Sequence, residues 1–100
     1  MGLDSISANE VDKYIGKDNI IIIDIRSNLL FKRGHIGSAI NIPYQDFEYN
    51  KTCIPKCYDI ILYCERGNQS LLLGRELSKE GYRVKSLYGG ICAYRGELVK

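Results

Sequence analysis

The chain has no tryptophan, one histidine and two prolines in 100 residues. With His35 as the only imidazole, a zinc site would need cysteines in two pairs. Cys53 and Cys57 form one pair in "TCIPKC", and neither Cys64 nor Cys92 has a near neighbour to complete it. No metal is therefore expected. A Cys-His protease is disfavoured, because "GHIGS" carries no partner pattern for a triad. The longest apolar run, Ile20 to Ile23, stops at Asp24, far short of a membrane span. The start "MGLDSISANE" lacks a basic and then apolar leader, and Ile6 stands where a myristoylation site needs Ser or Thr. Charge is nearly balanced at +2, with no basic stripe, so nucleic acid and membrane partners are not expected. These absences point to a cytoplasmic protein.

What is present is ordinary globular usage: 45% hydrophobic and 26% charged residues, enough for one domain over residues 1–100. "SANE" is a capping box, Ser7 with Glu10, opening a helix with Val11, Tyr14 and Ile15 on one face and Gly16 as its stop. "NIIIIDI" and "DIILYC" read as strands buried on both faces. "SAINIP" and "RVKSLY" are further strands, the latter the last, and residues 3 to 6 allow a short first one. "SNLLFKRG" is a short helix ended by Gly34, "YQDFEYN" a helical turn, and Asn50 to Tyr58 irregular. Helical spacing of Leu72, Leu73 and Leu77 predicts a helix from Gln69 to Lys79. "GGICAYRGEL" reads as a turn and short helix. Strands alternating with helices predict an α/β fold: a mainly parallel sheet of about five strands with helices on both faces.

In such sheets ligands bind at the carboxyl ends of the strands. Cys64 stands at one, followed by the loop "ERGNQS" and a helix. A helix N-terminus offers unpaired N–H groups and partial positive charge. Gly67 and Asn68 tolerate positive φ and let the loop amides curl around one point. A thiolate at Cys64 is favoured there and needs no histidine base. Ser70 is expected to cap the helix and to donate toward the sulfur. Phosphatase chemistry is disfavoured, since the position that would carry a clamping arginine, six after the cysteine, is Ser70.

These motifs resemble the rhodanese family of sulfurtransferases. "IDIRSNLLFKRGHIGSAINIP", "YCERGNQS" and "LYGGICAYRG" are similar, in order, to its first signature, its active-site loop and its closing Gly-Gly signature. The resemblance implies a rhodanese-like domain, a Cys64 persulfide as catalytic intermediate, no cofactor, and a binding loop of Glu65, Arg66, Gly67, Asn68, Gln69 and Ser70. It implies a small anionic sulfur donor such as thiosulfate, and a cyanide or thiol acceptor, a thioredoxin-like protein among the candidates. The alternative is a silent binding or regulatory module. Glu65 stands where the family often has a cation, Gln69 where it often has Arg, and Tyr94 where an indole is common; the last swap is expected to affect packing only. Asp24, Arg26 and His35 are read as structural support, and Tyr44, Tyr49, Tyr58 and Tyr88 as the margin of the core.

Overall fold

A computed structural model describes residues 4–100. Strand β1 (Asp4–Ile6) leads into the one-turn helix α1 (Ala8–Val11), then β2 (Ile20–Asp24) and α2 (Asn28–Arg33). Two-residue strands β3 (His35–Ile36) and β4 (Ile40–Asn41) follow, then α3 (Phe47–Asn50) and β5 (Asp59–Tyr63). The long helix α4 (Asn68–Lys79), β6 (Arg83–Leu87), α5 (Gly90–Ala93) and β7 (Leu98–Val99) complete the chain. Five strands form one parallel sheet in the order β1-β6-β5-β2-β4.

Successive strand side chains point to opposite faces. The unbroken apolar runs therefore feed two cores at once. Ile23, Ile60 and Leu62 pack with Phe47, Leu77, Tyr82 and Val84 on the α3–α4 face. Ile22, Ile61 and Tyr63 pack with Ile6, Val11, Ile36, Leu87 and Tyr94 on the α1–α2–α5 face. Each fully buried Ile or Leu contributes roughly 1.5–3 kcal/mol. Two-faced burial is why these strands show no polar alternation.

The capping box forms, with the Ser7 amide donating to Glu10 Oε1 at 3.0 Å. The expected helix does not extend from it: α1 gives way to a 3-10 turn over Asp12–Tyr14. Val11, Tyr14 and Ile15 still reach the core. The turn over residues 51–53 within the irregular segment is also 3-10. Helix α4 begins at Asn68, one residue before the expected Gln69. Arg83–Leu87 is not the last strand, because β7 pairs antiparallel with β3, Ile36 opposite Leu98. Tyr44, Tyr49 and Tyr88 are exposed rather than marginal to the core, Tyr49 at 84%. Residue 3, part of the predicted first strand, lies outside the described residues.

The chain leaves β2 toward β4 on one side and leaves β5 toward β6 on the other. The strand order thus reverses between β2 and β5. Backbone diverging in opposite directions opens a crevice at the carboxyl ends of that pair. Asp24–Arg26 and Cys64–Glu65 stand on its two sides.

Candidate active-site loop

Cys64 follows β5 directly and is 4% exposed. Its side chain shares the α3–α4 face with Ile23, Ile25 and Leu62. The polar half of its surroundings is backbone. The Gly67 amide donates to Cys64 Sγ at 3.1 Å and the Ser70 amide at 3.4 Å. The amides of Glu65, Arg66, Asn68 and Gln69 have no acceptor among the described residues. Of these six consecutive amides, two are on the sulfur and four have no acceptor among the described residues.

Two features bend the loop this way. Gly67 takes φ +101° and serves as the N-cap of α4, so the chain reverses without a Cβ in the way. A Cβ on Gly67 would stand 3.1 Å from the Gly89 amide. The second feature comes from the far end of the sequence. Carbonyls of Cys64 and Glu65 accept from the Ile91 and Cys92 amides of α5, at 2.9 and 3.1 Å. In a trans peptide the N–H points opposite the C=O. Fixing those two carbonyls against α5 turns the Glu65 and Arg66 amides away from it. Gly90 makes the approach possible: a Cβ there would lie 2.5 Å from the Glu65 carbonyl oxygen and 2.6 Å from that of Cys64.

The expected Ser70 cap is not formed. Gly67, three residues before Ser70 and at positive φ, is the cap. Ser70 is buried in the first turn, where its hydroxyl donates to the Gly67 carbonyl at 3.2 Å. Ser70 Oγ is also 3.7 Å from Cys64 Sγ and 2.8 Å from Ser86 Oγ. Ser86, buried on β6, was not among the residues the sequence singled out; a serine inside a strand gives no local signal.

Across the crevice, Arg26 forks onto Asp24, Nε 3.0 Å from both carboxylate oxygens and a terminal nitrogen 2.7 Å from Oδ2. The same nitrogen donates to the Gly34 carbonyl at 2.7 Å, tying the strand end to the turn after α2. Asp24 is fully buried, so this pairing satisfies a charge that would otherwise be costly. Burial first, and then the Asp24 charge, push the Tyr63 hydroxyl well above the usual tyrosine range. That hydroxyl accepts from the Ile36 amide at 3.0 Å. His35 stacks on Phe31 with ring centroids 3.7 Å apart, and its Nδ1 lies 2.8 Å from the Phe31 carbonyl.

Glu65 leans toward Arg26, Oε1 3.8 Å from a guanidinium nitrogen, and Oε2 accepts from Cys92 Sγ at 3.5 Å. The carboxylate is half exposed and partnered outside the loop. Arg66, Asn68 and Gln69 are exposed. Arg66, Asn68 and Gly67 line one side of a cleft of about 300 Å³ completed by Ser5, Leu71, Ser86, Tyr88 and Gly89. Tyr94 carries more than packing, since its hydroxyl donates to Asp12 Oδ1 at 2.5 Å. Among the described residues no cluster of His, Cys, Asp and Glu could hold a metal, and no helix is long and apolar enough to cross a membrane.

A parallel α/β sheet with a cysteine at its switch point, wrapped by backbone amides, defines a class of thiol-bearing loop domains. The profile of the rhodanese-like domain matches residues 7–97, and the chain belongs to that family. It is 39% identical to a tRNA sulfurtransferase of Desulfurococcus amylolyticus over 93% of this chain, but spans only 18% of that protein. A sulfurtransferase of Allochromatium vinosum is 30% identical, with 86% of this chain and 87% of that one aligned. The crystal structure of a rhodanese-like domain protein from Staphylococcus aureus superposes with a TM-score of 0.85 at 24% identity, covering 96% of each chain.

Proposed function

We propose that this protein is a sulfurtransferase that carries a sulfane sulfur on Cys64. The observation that supports this most is the set of loop amides, two on the sulfur and four without an acceptor among the described residues. The Cys64 thiolate attacks the outer sulfur of a donor such as thiosulfate. The donor's S–S bond breaks and sulfite leaves with the electron pair, giving a Cys64 persulfide anion. The added sulfur sits roughly 2 Å beyond Sγ, toward the open amides, which hydrogen-bond its charge. An acceptor thiolate then attacks the terminal sulfur, the Cys64 S–S bond breaks, and the thiolate returns. Electrons balance without an external oxidant or reductant. Arg66 attracts an anionic donor to the mouth of the loop, and the acceptor is a thiol, on a small molecule or a thioredoxin-like protein.

A second reading, a binding or regulatory module without turnover, is favoured by the near-complete enclosure of Cys64. Intact mass after incubation with thiosulfate and with persulfide donors separates the two. Gain of one sulfur on Cys64, removed by cyanide or a thiol, supports transfer. No adduct with any sulfane donor sinks the transferase and leaves the binding module.

A further inference from the structure

The Ser70–Ser86 contact of 2.8 Å is shorter than either amide contact to Cys64 Sγ, and both residues are buried, at 0% and 2% exposed. A serine hydroxyl has one proton to give and two lone pairs to receive with. Ser70 Oγ has three neighbours: the Gly67 carbonyl at 3.2 Å, Cys64 Sγ at 3.7 Å and Ser86 Oγ at 2.8 Å. The carbonyl can only accept, and so can a thiolate. In the thiol state Cys64 Sγ donates to Ser70, and the 2.8 Å contact can run in either direction. When the Ser70 proton goes to the carbonyl or to a thiolate, none is left for Ser86; Ser86 is then the donor, and Ser70 is the sole acceptor recorded for it among the described residues.

We propose that Ser86 is a positioning residue that holds Ser70 as a hydrogen-bond donor to the Cys64 thiolate. By donating to Ser70, Ser86 pins Oγ in place and polarises its O–H, as donors in a chain strengthen one another. When Cys64 loses its proton, the sulfur becomes a charged acceptor. It then competes with the neutral Gly67 carbonyl for the one Ser70 proton, and charge-assisted bonds are the stronger kind. The two hydroxyls so complete, from the sheet side, a donor set that the loop amides supply from the other. This rests on the reading of Cys64 as a thiolate nucleophile, and it adds β6, which no loop motif contains, to the machinery.

The test reads the thiolate directly, without sulfur transfer. Wild type, Ser86→Ala, Ser70→Ala and the double variant are compared at one neutral pH. The readouts are the thiolate ultraviolet absorbance, taken as a difference from Cys64→Ser, and the iodoacetamide alkylation rate at Cys64 mapped by peptide mass. Ser86→Ala is expected to lower both by about fivefold, the scale of one neutral hydrogen bond. The double variant is expected to match Ser70→Ala alone, since Ser86 acts through Ser70. Ser86→Thr, which keeps the hydroxyl, is expected to restore the wild-type signal. An unchanged Ser86→Ala, additive losses in the double variant, or a Thr variant as depressed as Ala would each overturn the proposal. Failure of the wild type to accept sulfane sulfur while these shifts persist would sink the transferase reading and leave the Ser86 role standing.

Discussion

Two segments of this chain present cysteines in opposite ways. Cys53 and Cys57 lie on an irregular stretch that precedes β5, and both are exposed. Cys64 lies at the other end of the same strand and is buried. The five residues of β5, Asp59–Tyr63, separate the two ends by roughly 15 Å at the rise of a parallel strand. Exposure favours the first pair as reagents. Backbone hydrogen bonding favours the second site, since among the described cysteines only Cys64 receives two amides, in a loop with four more that have no acceptor. The amino edge is instead held by side chains: Lys51 to Glu48 and Glu80, and Arg83 to Asp59 and the Cys57 carbonyl. Access alone does not make a nucleophile. Converging dipoles favour the charged form of a thiol in general, and strand ends feeding helices supply them while strand starts do not, which is the basis of the role proposed for Cys64.

The sharpest break would come from exchanging the cysteines for serine. Cys64→Ser is expected to abolish sulfur uptake with an unchanged melting curve, while Cys53→Ser and Cys57→Ser keep full uptake. Intact mass after thiosulfate treatment reads the outcome, and retained uptake in Cys64→Ser would reverse the assignment of the two ends.

A glycine at each end provides the next contrast. Gly90→Ala drives a Cβ into two carbonyls behind the Cys64 loop, at φ +64°. It is expected to cost about 3 kcal/mol or more in urea denaturation and to slow persulfide formation. Gly81, after α4 at the amino edge, also has positive φ, but a Cβ there meets nothing closer than Lys56 Nζ at 3.7 Å. Gly81→Ala should cost only about 1 kcal/mol and leave uptake alone. Equal costs would mean that α5 does not wedge the loop.

Charge gives a smaller effect. Lys56 precedes Cys57, whereas Glu65 follows Cys64. Glu65→Arg is expected to lower the Michaelis constant for thiosulfate about threefold at low salt, less as salt rises. An unchanged or higher constant would mean that the carboxylate, turned toward Arg26 and Cys92, never meets the anion.

Alkali gives the smallest. Burial, and then the bond to Asp12, raise the Tyr94 hydroxyl from its ordinary 10.0 to about 12. The folded state holds this proton more tightly than the unfolded state. The contribution is complete below pH 10 and fades as pH climbs through about 12. Tyr94→Phe should flatten that part of the curve of urea midpoint against pH by a few tenths of a kcal/mol, as for one modest hydrogen bond. No flattening would show that this anchor behind the loop carries no such stability.

The sheet was legible because its strands are runs of β-branched residues broken by glycine and turn residues, and "IIIID" and "DIILY" fold where they read. β7 was not, since Leu98–Val99 has no periodicity and becomes a strand only by meeting His35–Ile36. The loop was legible from Cys64, Gly67 and the helix behind them. Its details were not: the cap falls on Gly67 through a φ that spacing does not encode, and Glu65 finds Arg26 across a crevice that sequence distance hides. Ser86 lies sixteen positions from its partner, and only the packing of α4 on β6 brings it near.

Because the carbonyls of Cys64 and Glu65 are held by the amides of Ile91 and Cys92, the cysteine loop is not a portable cassette. A peptide or grafted hairpin bearing only residues 64–70 would relax to other shapes and lose its grip on sulfur. Anyone transplanting this chemistry into a new scaffold would have to carry the Gly89–Gly90 buttress along with it.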